Sequence, residues 1–193
     1  MVLEQLKEGN ERFMNNTLTA RNHSAQVRNS VKGQYPKAVV LSCLDSRIPV
    51  EDVFDKGIGD IFVARVAGNF ANPEILGSME FGCNVAGAKL ILVLGHQHCG
   101  AVKASIDNVR IGNITKLTTG IRPAVEMSAD FKGDKSSKND EYVHYVGKKN
   151  VLHTLDYIRK NSAILKEMEE KGEIKLVGAM YHMETGKAEF LID

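Results

Sequence analysis

Apolar residues recur along the chain in two alternating patterns. Residues 3–14 carry them at helical spacing over a charged background, and we expect this helix to lie on a partner surface. Residues 38–41 form a short run of Ala, Val, Val and Leu, which is typical of a buried strand. Further patterns predict a helix over 49–54, a strand over 60–66, a helix over 73–86 and a strand over 89–94. Strands that alternate with helices indicate a mostly parallel sheet with right-handed crossovers, so the predicted fold class is α/β.

The last third of the chain predicts flanking helices and a hairpin. The predicted elements are a helix over 114–129, a loop over 132–140, a helix over 151–170 broken near Ser162, and strands over 174–183 and 187–192. The hairpin adds an antiparallel edge strand to the sheet. Because the sequence contains no repeat and no linker-like segment, we predict a single domain over residues 1–193.

Composition and charge exclude several classes of partner. The chain has 25 Lys and Arg residues against 24 Asp and Glu residues, and its net charge of +1 provides no basic surface for nucleic acid or an anionic membrane. No apolar run approaches the roughly 20 residues that span a bilayer. The first residues lack the basic and apolar regions of a secretory signal. We therefore predict a cytoplasmic protein with no nucleic-acid or membrane partner, acting on a small neutral or singly charged substrate.

The three cysteines cannot all pair with one another, since their number is odd. Cys83 stands among small and apolar residues and is predicted to belong to the core. Cys43 and Cys99 each lie beside other residues that bind metals. Thiol or metal chemistry is therefore favoured over disulfides.

Two short segments carry the candidate chemistry: Cys-Leu-Asp-Ser-Arg at residues 43–47 and His-Gln-His-Cys-Gly at 96–100. Each follows a predicted strand, and the carboxyl ends of parallel strands meet at one crevice. The thiolates of Cys43 and Cys99 with the imidazole of His96 form a ligand set suited to tetrahedral Zn²⁺. Three protein ligands leave a position for water, whose pKa a catalytic zinc lowers to about 7.

Asp45 and Arg47 are two residues apart and can project toward the same side, where they would pair. A carboxylate held by Arg47 could accept a hydrogen bond from zinc-bound hydroxide and orient it. Released from Arg47, Asp45 could instead bind the metal as a fourth ligand. This second arrangement, the closed form, would give a pH-dependent switch.

Each motif taken alone also has an ordinary structural explanation. The Asp45 and Arg47 pair could be a surface salt bridge, Ser46 a helix cap, and Cys99 a buried thiol. A non-catalytic zinc protein closed permanently by Asp45 and a thiol redox protein using Cys99 are the rivals from other classes. The metal interpretation is favoured because both motifs fall at strand ends, beside Gly95 and Gly100, which permit close backbone approach.

With these residues the chain resembles the β-class carbonic anhydrases, whose motifs Cys-x-Asp-Ser-Arg and His-x-x-Cys-Gly are both present. The resemblance includes residues 62–69 and extends from the first helix to the final hairpin. It implies reversible zinc-dependent hydration of carbon dioxide to bicarbonate and a proton by a homodimer or homotetramer. Hydrolysis of carbonyl sulfide or carbon disulfide is the alternative on the same scaffold. The implied zinc ligands are Cys43, His96 and Cys99, and the implied catalytic pair is Asp45 and Arg47.

The resemblance also implies a substrate pocket at a dimer interface, and the residues it places there are Gln34, Phe62, Phe81 and Gly100. Phe81 replaces a tyrosine of plant members. Some members have a bicarbonate-controlled site that uses a tryptophan, an arginine and a tyrosine. Here the tryptophan position is Val40, with Arg65 and Tyr181 as matches for the other two, so we expect the unregulated type. His98 is either a proton shuttle or an exposed spectator.

Overall fold

The computed structural model describes residues 1–191 and places a five-stranded sheet at the centre of the molecule. The strand order is β2-β1-β3-β4-β5. The strands are β1 (Ala38–Ser42), β2 (Ile61–Arg65), β3 (Leu90–His96), β4 (Lys175–Tyr181) and β5 (Ala188–Leu191). The first four are parallel, and β5 pairs antiparallel with β4. The predicted α/β class, the mostly parallel sheet and the antiparallel edge are therefore confirmed, while Ile192 of the last predicted strand lies outside the described residues.

Strands β1 and β3 are buried along their whole length. Their side chains alternate between two apolar clusters, with Val40 and Leu92 in one and Val39 and Ile91 in the other. Both faces of the sheet are covered, which explains why the strands appear in the sequence as continuous apolar runs.

Eight α-helices surround the sheet within residues 1–191. They are α1 (Val2–Met14), α2 (His23–Ser30), α3 (Val50–Val53), α4 (Pro73–Glu80), α5 (Gly100–Ile106), α6 (Ile114–Glu126), α7 (Asp140–Asn161) and α8 (Ala163–Glu170). Helices α2 and α5 were not predicted. In this described part of the chain, no helix is long and apolar enough to cross a membrane.

Helix α7 begins at Asp140, so the prediction of a start at residue 151 is wrong. The Asn139 side chain caps the helix by accepting a hydrogen bond from the Glu141 N–H. Two acidic residues in its first turn suit the positive end of the helix dipole. The predicted break at Ser162 is confirmed, since the Ser162 hydroxyl accepts from Leu165 N and starts α8.

The helix predicted over 73–86 changes character after Glu80. It continues as the π-helical turn Phe81–Val85, with Ala86 N donating to Phe81 O at 2.9 Å. This turn packs closely on the sheet, because a Cβ on Gly82 would lie 2.6 Å from a Val39 methyl group. Cys83 is 1% exposed, so its predicted place in the core is confirmed, whereas Phe81 is 56% exposed.

The apolar stripe of α1 packs on its own domain. Leu6 is fully buried, and Gly9 lies so close to Phe54 that a Cβ there would meet the Phe54 carbonyl oxygen. The Asn10 amide, itself 3% exposed, donates to the Gly186 carbonyl at 2.8 Å. Leu6 of the stripe therefore packs within the chain, whereas Met14 is 37% exposed, and the expectation that the stripe lies on a partner surface stays a prediction.

Candidate metal centre

The structure brings Cys43, His96 and Cys99 together. Their ligand atoms all lie within 4.8 Å of one another, and the two Sγ atoms are 3.9 Å apart. Cys43 follows β1, His96 ends β3 and Cys99 precedes α5. Because β1 and β3 are parallel neighbours, their carboxyl ends deliver these side chains to one point. All three residues are at most 4% exposed, and the cysteines are free thiols.

The His96 ring has one nitrogen engaged and one available. Its Nδ1 lies 2.8 Å from the Gln97 carbonyl oxygen, which can only accept, so Nδ1 carries the hydrogen. Its Nε2 is buried and has no hydrogen-bond partner among residues 1–191. A buried polar atom without a partner costs about 1–3 kcal/mol, which coordination of a cation would remove. The donor set of two sulfurs and one imidazole nitrogen therefore fits a metal ion such as Zn²⁺.

The two sulfurs affect each other's ionisation. The Cys99 thiol lowers the pKa of Cys43, and the adjacent His96 ring and the hydrogen bond from the Gly68 N–H act in the same direction. Cys43 and burial in turn raise the pKa of Cys99. Without a metal, the state in which one sulfur is a thiolate and the other keeps its proton is therefore favoured over two thiolates. Binding of a divalent cation would displace that remaining proton.

Asp45 is held by Arg47 through both carboxylate oxygens. Arg47 Nε donates to Oδ1 at 2.8 Å and Nη2 to Oδ2 at 2.6 Å, and the Arg47 backbone N–H also reaches Oδ1 at 3.0 Å. These contacts with Arg47 lower the pKa of Asp45 to about 2. Within the described residues, the metal group comprises the two cysteines and His96 without Asp45. The arrangement is thus the one in which Asp45 is a neighbour of the centre and not a ligand.

Arg65 supports the loop that carries this pair, a contact that the sequence did not reveal. The last residue of β2, it donates from Nε to the Cys43 carbonyl at 3.0 Å and from Nη1 to the Ile48 carbonyl at 3.1 Å. Its Nη2 donates to the Asp45 carbonyl. Three carbonyls of one loop are therefore fixed by one guanidinium. An arginine at a strand end is the only sequence signal for this role.

Gln34, Phe62 and Phe81 lie away from the metal group of the same chain. Gln34 is exposed and precedes β1, whereas Cys43 follows it. Phe62 pairs with Val39 near the amino end of β1. Phe62 and Phe81 line an open groove of about 580 Å³, and among its described lining residues none is a metal-group cysteine or His96.

The remaining predicted residues lie near the centre. Gly100 is the first residue of α5, directly after Cys99. His98 has a positive φ of 54°, and its Nδ1 lies 3.2 Å from an Asp140 carboxylate oxygen. Gln97 accepts a hydrogen bond from Met183 N at 3.0 Å, so its side chain ties this loop to the end of β4.

The chain is similar in sequence to known carbonic anhydrases. A family model described as carbonic anhydrase matches residues 38–188. Carbonic anhydrase 2 of Mycobacterium tuberculosis is 33% identical over 189 residues, covering 95% of this chain and 88% of that protein. The carbonic anhydrase of Mycolicibacterium smegmatis is also 33% identical, with 95% and 89% covered.

Solved structures share the fold. A Coccomyxa β-carbonic anhydrase in complex with acetazolamide superposes with a TM-score of 0.78 at 24% identity, covering 88% of this chain and 78% of that one. The β-carbonic anhydrase CcaA gives a TM-score of 0.77 at 21% identity, covering 100% and 92%. Together with the family match over most of the chain, these findings show that the protein belongs to the β-carbonic anhydrase family.

Proposed function

We propose that this protein catalyses the zinc-dependent, reversible hydration of carbon dioxide to bicarbonate and a proton. The observation that carries the proposal is the convergence of Cys43, His96 and Cys99 within 4.8 Å, with a buried and unpartnered Nε2 among the described atoms. Membership of the carbonic anhydrase family supports the reaction.

The three side chains would hold the ion, with Cys43 and Cys99 as thiolates and His96 bound through Nε2. Zinc lowers the pKa of a water molecule to about 7 and so supplies a nucleophile near neutral pH. Two thiolates offset the charge of a divalent cation, which leaves the centre weakly attractive to an anion. Bicarbonate can therefore leave readily.

Asp45 would orient the attacking oxygen by accepting a hydrogen bond from it. Because Arg47 holds the pKa of Asp45 near 2, the carboxylate is ionised throughout the neutral range and can only accept. The bidentate contact with Arg47 fixes its direction. An anion that lies against Asp45 and has no hydrogen to donate to its carboxylate would bind less favourably than hydroxide. This selects the protonated nucleophile over other anions.

The first test is metal analysis together with a carbon dioxide hydration assay on the wild type and Cys43→Ala. We expect about one zinc per wild-type chain, as one tetrahedral site requires, and loss of both zinc and activity in the variant. Cys83→Ala is the matched control, since Cys83 is equally buried but lies in the core outside the metal group. A zinc-loaded protein that hydrolyses carbonyl sulfide and does not hydrate carbon dioxide would contradict the proposal.

We further propose a homodimer, or a tetramer built from such dimers, in which Gln34 and the groove residues Phe62 and Phe81 of one copy face the metal centre of the other. The support is that Phe62, Phe81 and Gln34 lie away from the centre in one chain, while Phe81 is 56% exposed. Two β-carbonic anhydrases of Sordaria macrospora are described as tetrameric, and the structure of one is similar to this chain with a TM-score of 0.74 at 20% identity, covering 87% of this chain and 89% of that one.

Shared sites can be tested by mixing two variants. His96→Ala lacks a metal ligand, and Gln34→Ala lacks the proposed partner contribution. In a twofold dimer, subunit exchange gives heterodimers with one intact site, so the mixture should approach about a quarter of wild-type activity if each variant alone is inactive. Activity in the mixture equal to the mean of the separate variants would rule out sharing.

We also propose that the enzyme lacks the bicarbonate-controlled site. Val40 is fully buried, Tyr181 is 5% exposed, and the Arg65 guanidinium donates to three loop carbonyls. Bicarbonate should therefore act only at the reaction centre, as product of hydration and substrate of the reverse reaction, and not as an inhibitor bound at a second site. The cytoplasmic location stays a prediction from the sequence.

A further inference from the structure

The Cys43 sulfur accepts a hydrogen bond from the backbone N–H of Gly68, at 3.3 Å. Gly68 lies in a tight turn after β2, closed by Asn69 N donating to Val66 O at 2.9 Å. Its φ is +81°, and a Cβ there would lie 2.3 Å from the Ile121 Cδ1 atom. The positive φ and the close packing both favour glycine at this position. Because glycine is conformationally permissive, the backbone of this turn is not held rigid by its own sequence.

A side chain from a distant helix fixes this turn. Asn150, on α7, donates from Nδ2 to the Gly68 carbonyl at 2.7 Å, across 82 residues of sequence. Asn150 is 0% exposed, and in the described part of the chain its Oδ1 has no hydrogen-bond partner. Burying a half-satisfied amide is unfavourable. Among the described residues, the hydrogen bond to the Gly68 carbonyl is the side-chain contact that offsets this cost.

We propose that Asn150 is a positioning residue for the metal centre. It holds the Gly68 carbonyl and thereby keeps the Gly68 N–H directed at the Cys43 sulfur. The N–H contact stabilises the thiolate and fixes its direction toward His96 and Cys99. The inference deepens the proposed function, since it assumes that this group holds zinc. It concerns the hydrogen bonds that support Cys43, and it does not change which residues bind the metal.

A purely structural role for Asn150 would predict different behaviour. Its neighbours Val151 and Leu155 pack against the sheet, where Cβ atoms on Gly95 and Gly178 would collide with Val151. Had Asn150 only this anchoring role, its replacement would change the stability of the protein and leave the bound metal unaffected. Metal affinity and the spectrum of the bound metal therefore separate the two roles.

The experiment compares Asn150→Leu with Thr154→Val. Leucine has the same branched arrangement of side-chain heavy atoms as asparagine, is somewhat larger, and removes the donor. Thr154 lies one turn further along α7, is 1% exposed, and its Oγ1 is unpartnered among residues 1–191. Zinc affinity is measured by competition with a chelator of known affinity. Loss of an outer-layer partner typically weakens metal binding about 10- to 100-fold, which we expect for Asn150→Leu. Thr154→Val should bind zinc like the wild type.

A second readout uses the Co²⁺-substituted protein, whose sulfur-to-metal absorption band reports the bonds from Cys43 and Cys99 together, so that a change at Cys43 shifts it. The band should shift in Asn150→Leu and remain in place in Thr154→Val. Should Asn150→Leu not fold, Asn150→Ser replaces it, since a serine hydroxyl is too short to reach the Gly68 carbonyl and leaves a smaller perturbation.

The outcomes distinguish this inference from the proposed function. Unchanged zinc affinity and an unchanged Co²⁺ band in the variant, with only a lower unfolding temperature, would overturn the positioning role alone. A wild-type protein that binds no zinc would overturn the proposed function, and this inference with it.

Discussion

The carboxyl end of the sheet carries a complete metal-binding group within one chain, whereas the amino end carries proposed substrate residues that lie away from that group. At the carboxyl end, Cys43, His96 and Cys99 are buried and converge. Toward the amino end, Gln34 is exposed, and Phe62 lines an open groove at the molecular surface. One copy thus builds the whole set of metal ligands and presents the proposed substrate residues outward. The difference predicts that metal binding needs one folded chain and that turnover needs two.

The largest expected effect comes from removing a ligand at the carboxyl end. His96→Ala should weaken zinc binding by more than about 100-fold, the upper range for loss of an outer partner, and should abolish carbon dioxide hydration. Equilibrium dialysis and a stopped-flow assay measure the two quantities. His98→Ala is the control, because His98 lies outside the metal group. Zinc binding that survives in His96→Ala would contradict the assigned site.

Asp45→Asn should separate metal binding from turnover at the same end. The amide keeps the shape of the carboxylate but loses its charge, which weakens the contact with Arg47. Its NH₂ group also donates hydrogen bonds, whereas both carboxylate oxygens accept them. We expect zinc content to remain near the wild-type value and activity to fall about 10- to 100-fold. Metal analysis and initial rates provide the check, and an active Asp45→Asn enzyme would show that the carboxylate does not orient the nucleophile.

At the groove, a charge should disrupt self-association and spare the metal. Phe81→Glu places a carboxylate in the apolar groove, and we expect the dissociation constant of the dimer to rise at least about 10-fold, equivalent to 1.4 kcal/mol. Sedimentation at several concentrations measures it. Val85→Glu is the matched control, since Val85 is also exposed on the π-helical turn but is not among the described residues that line the groove. Identical behaviour of the two variants would argue against this interface.

The smallest effect is on the acid stability of the Asp45–Arg47 pair. The pKa of Asp45 is about 2 in the folded protein and 3.8 ordinarily, so the pair stabilises the fold above pH 3.8. That contribution is lost as the pH falls from 3.8 toward 2. In Arg47→Gln, the unfolding temperature should depend less on pH in this window. The corresponding loss in the free energy of unfolding should be less than about 1 kcal/mol, since exposed pairs contribute little. The pKa of Asp55 is also lowered, by its hydrogen bonds to Arg12, Thr19 and Arg21, so only the difference from the wild type is informative.

The sequence predicted what depends on local pattern and on strand ends. The alternation of elements placed Cys43 and His96 at the carboxyl ends of two strands, and the structure brings them together. It did not predict α5, which is short and follows directly on the metal-binding loop, or the first half of α7, where polar residues obscured the buried positions. The π-helical turn depends on close packing against β1 and has no spacing signal.

Two of the supporting contacts could not be predicted for a different reason. Arg65 reaches the Cys43 carbonyl across 22 residues, and Asn150 reaches the Gly68 carbonyl across 82. Both end on backbone oxygens, which every residue has. No residue type at the receiving end marks the partner, so the sequence contains the donors without indicating their targets.

The three hydrogen bonds of Arg65 have a consequence for the kinetics of metal uptake. They tie the loop after β1 to the last residue of β2, so its backbone torsions are set when the sheet forms. The conformational entropy of that loop is lost when the protein folds, so metal binding carries no further entropic cost of ordering it. An arriving ion meets a rigid receptor, and its capture should be limited by desolvation and access to the buried cleft, with no slow rearrangement of the polypeptide.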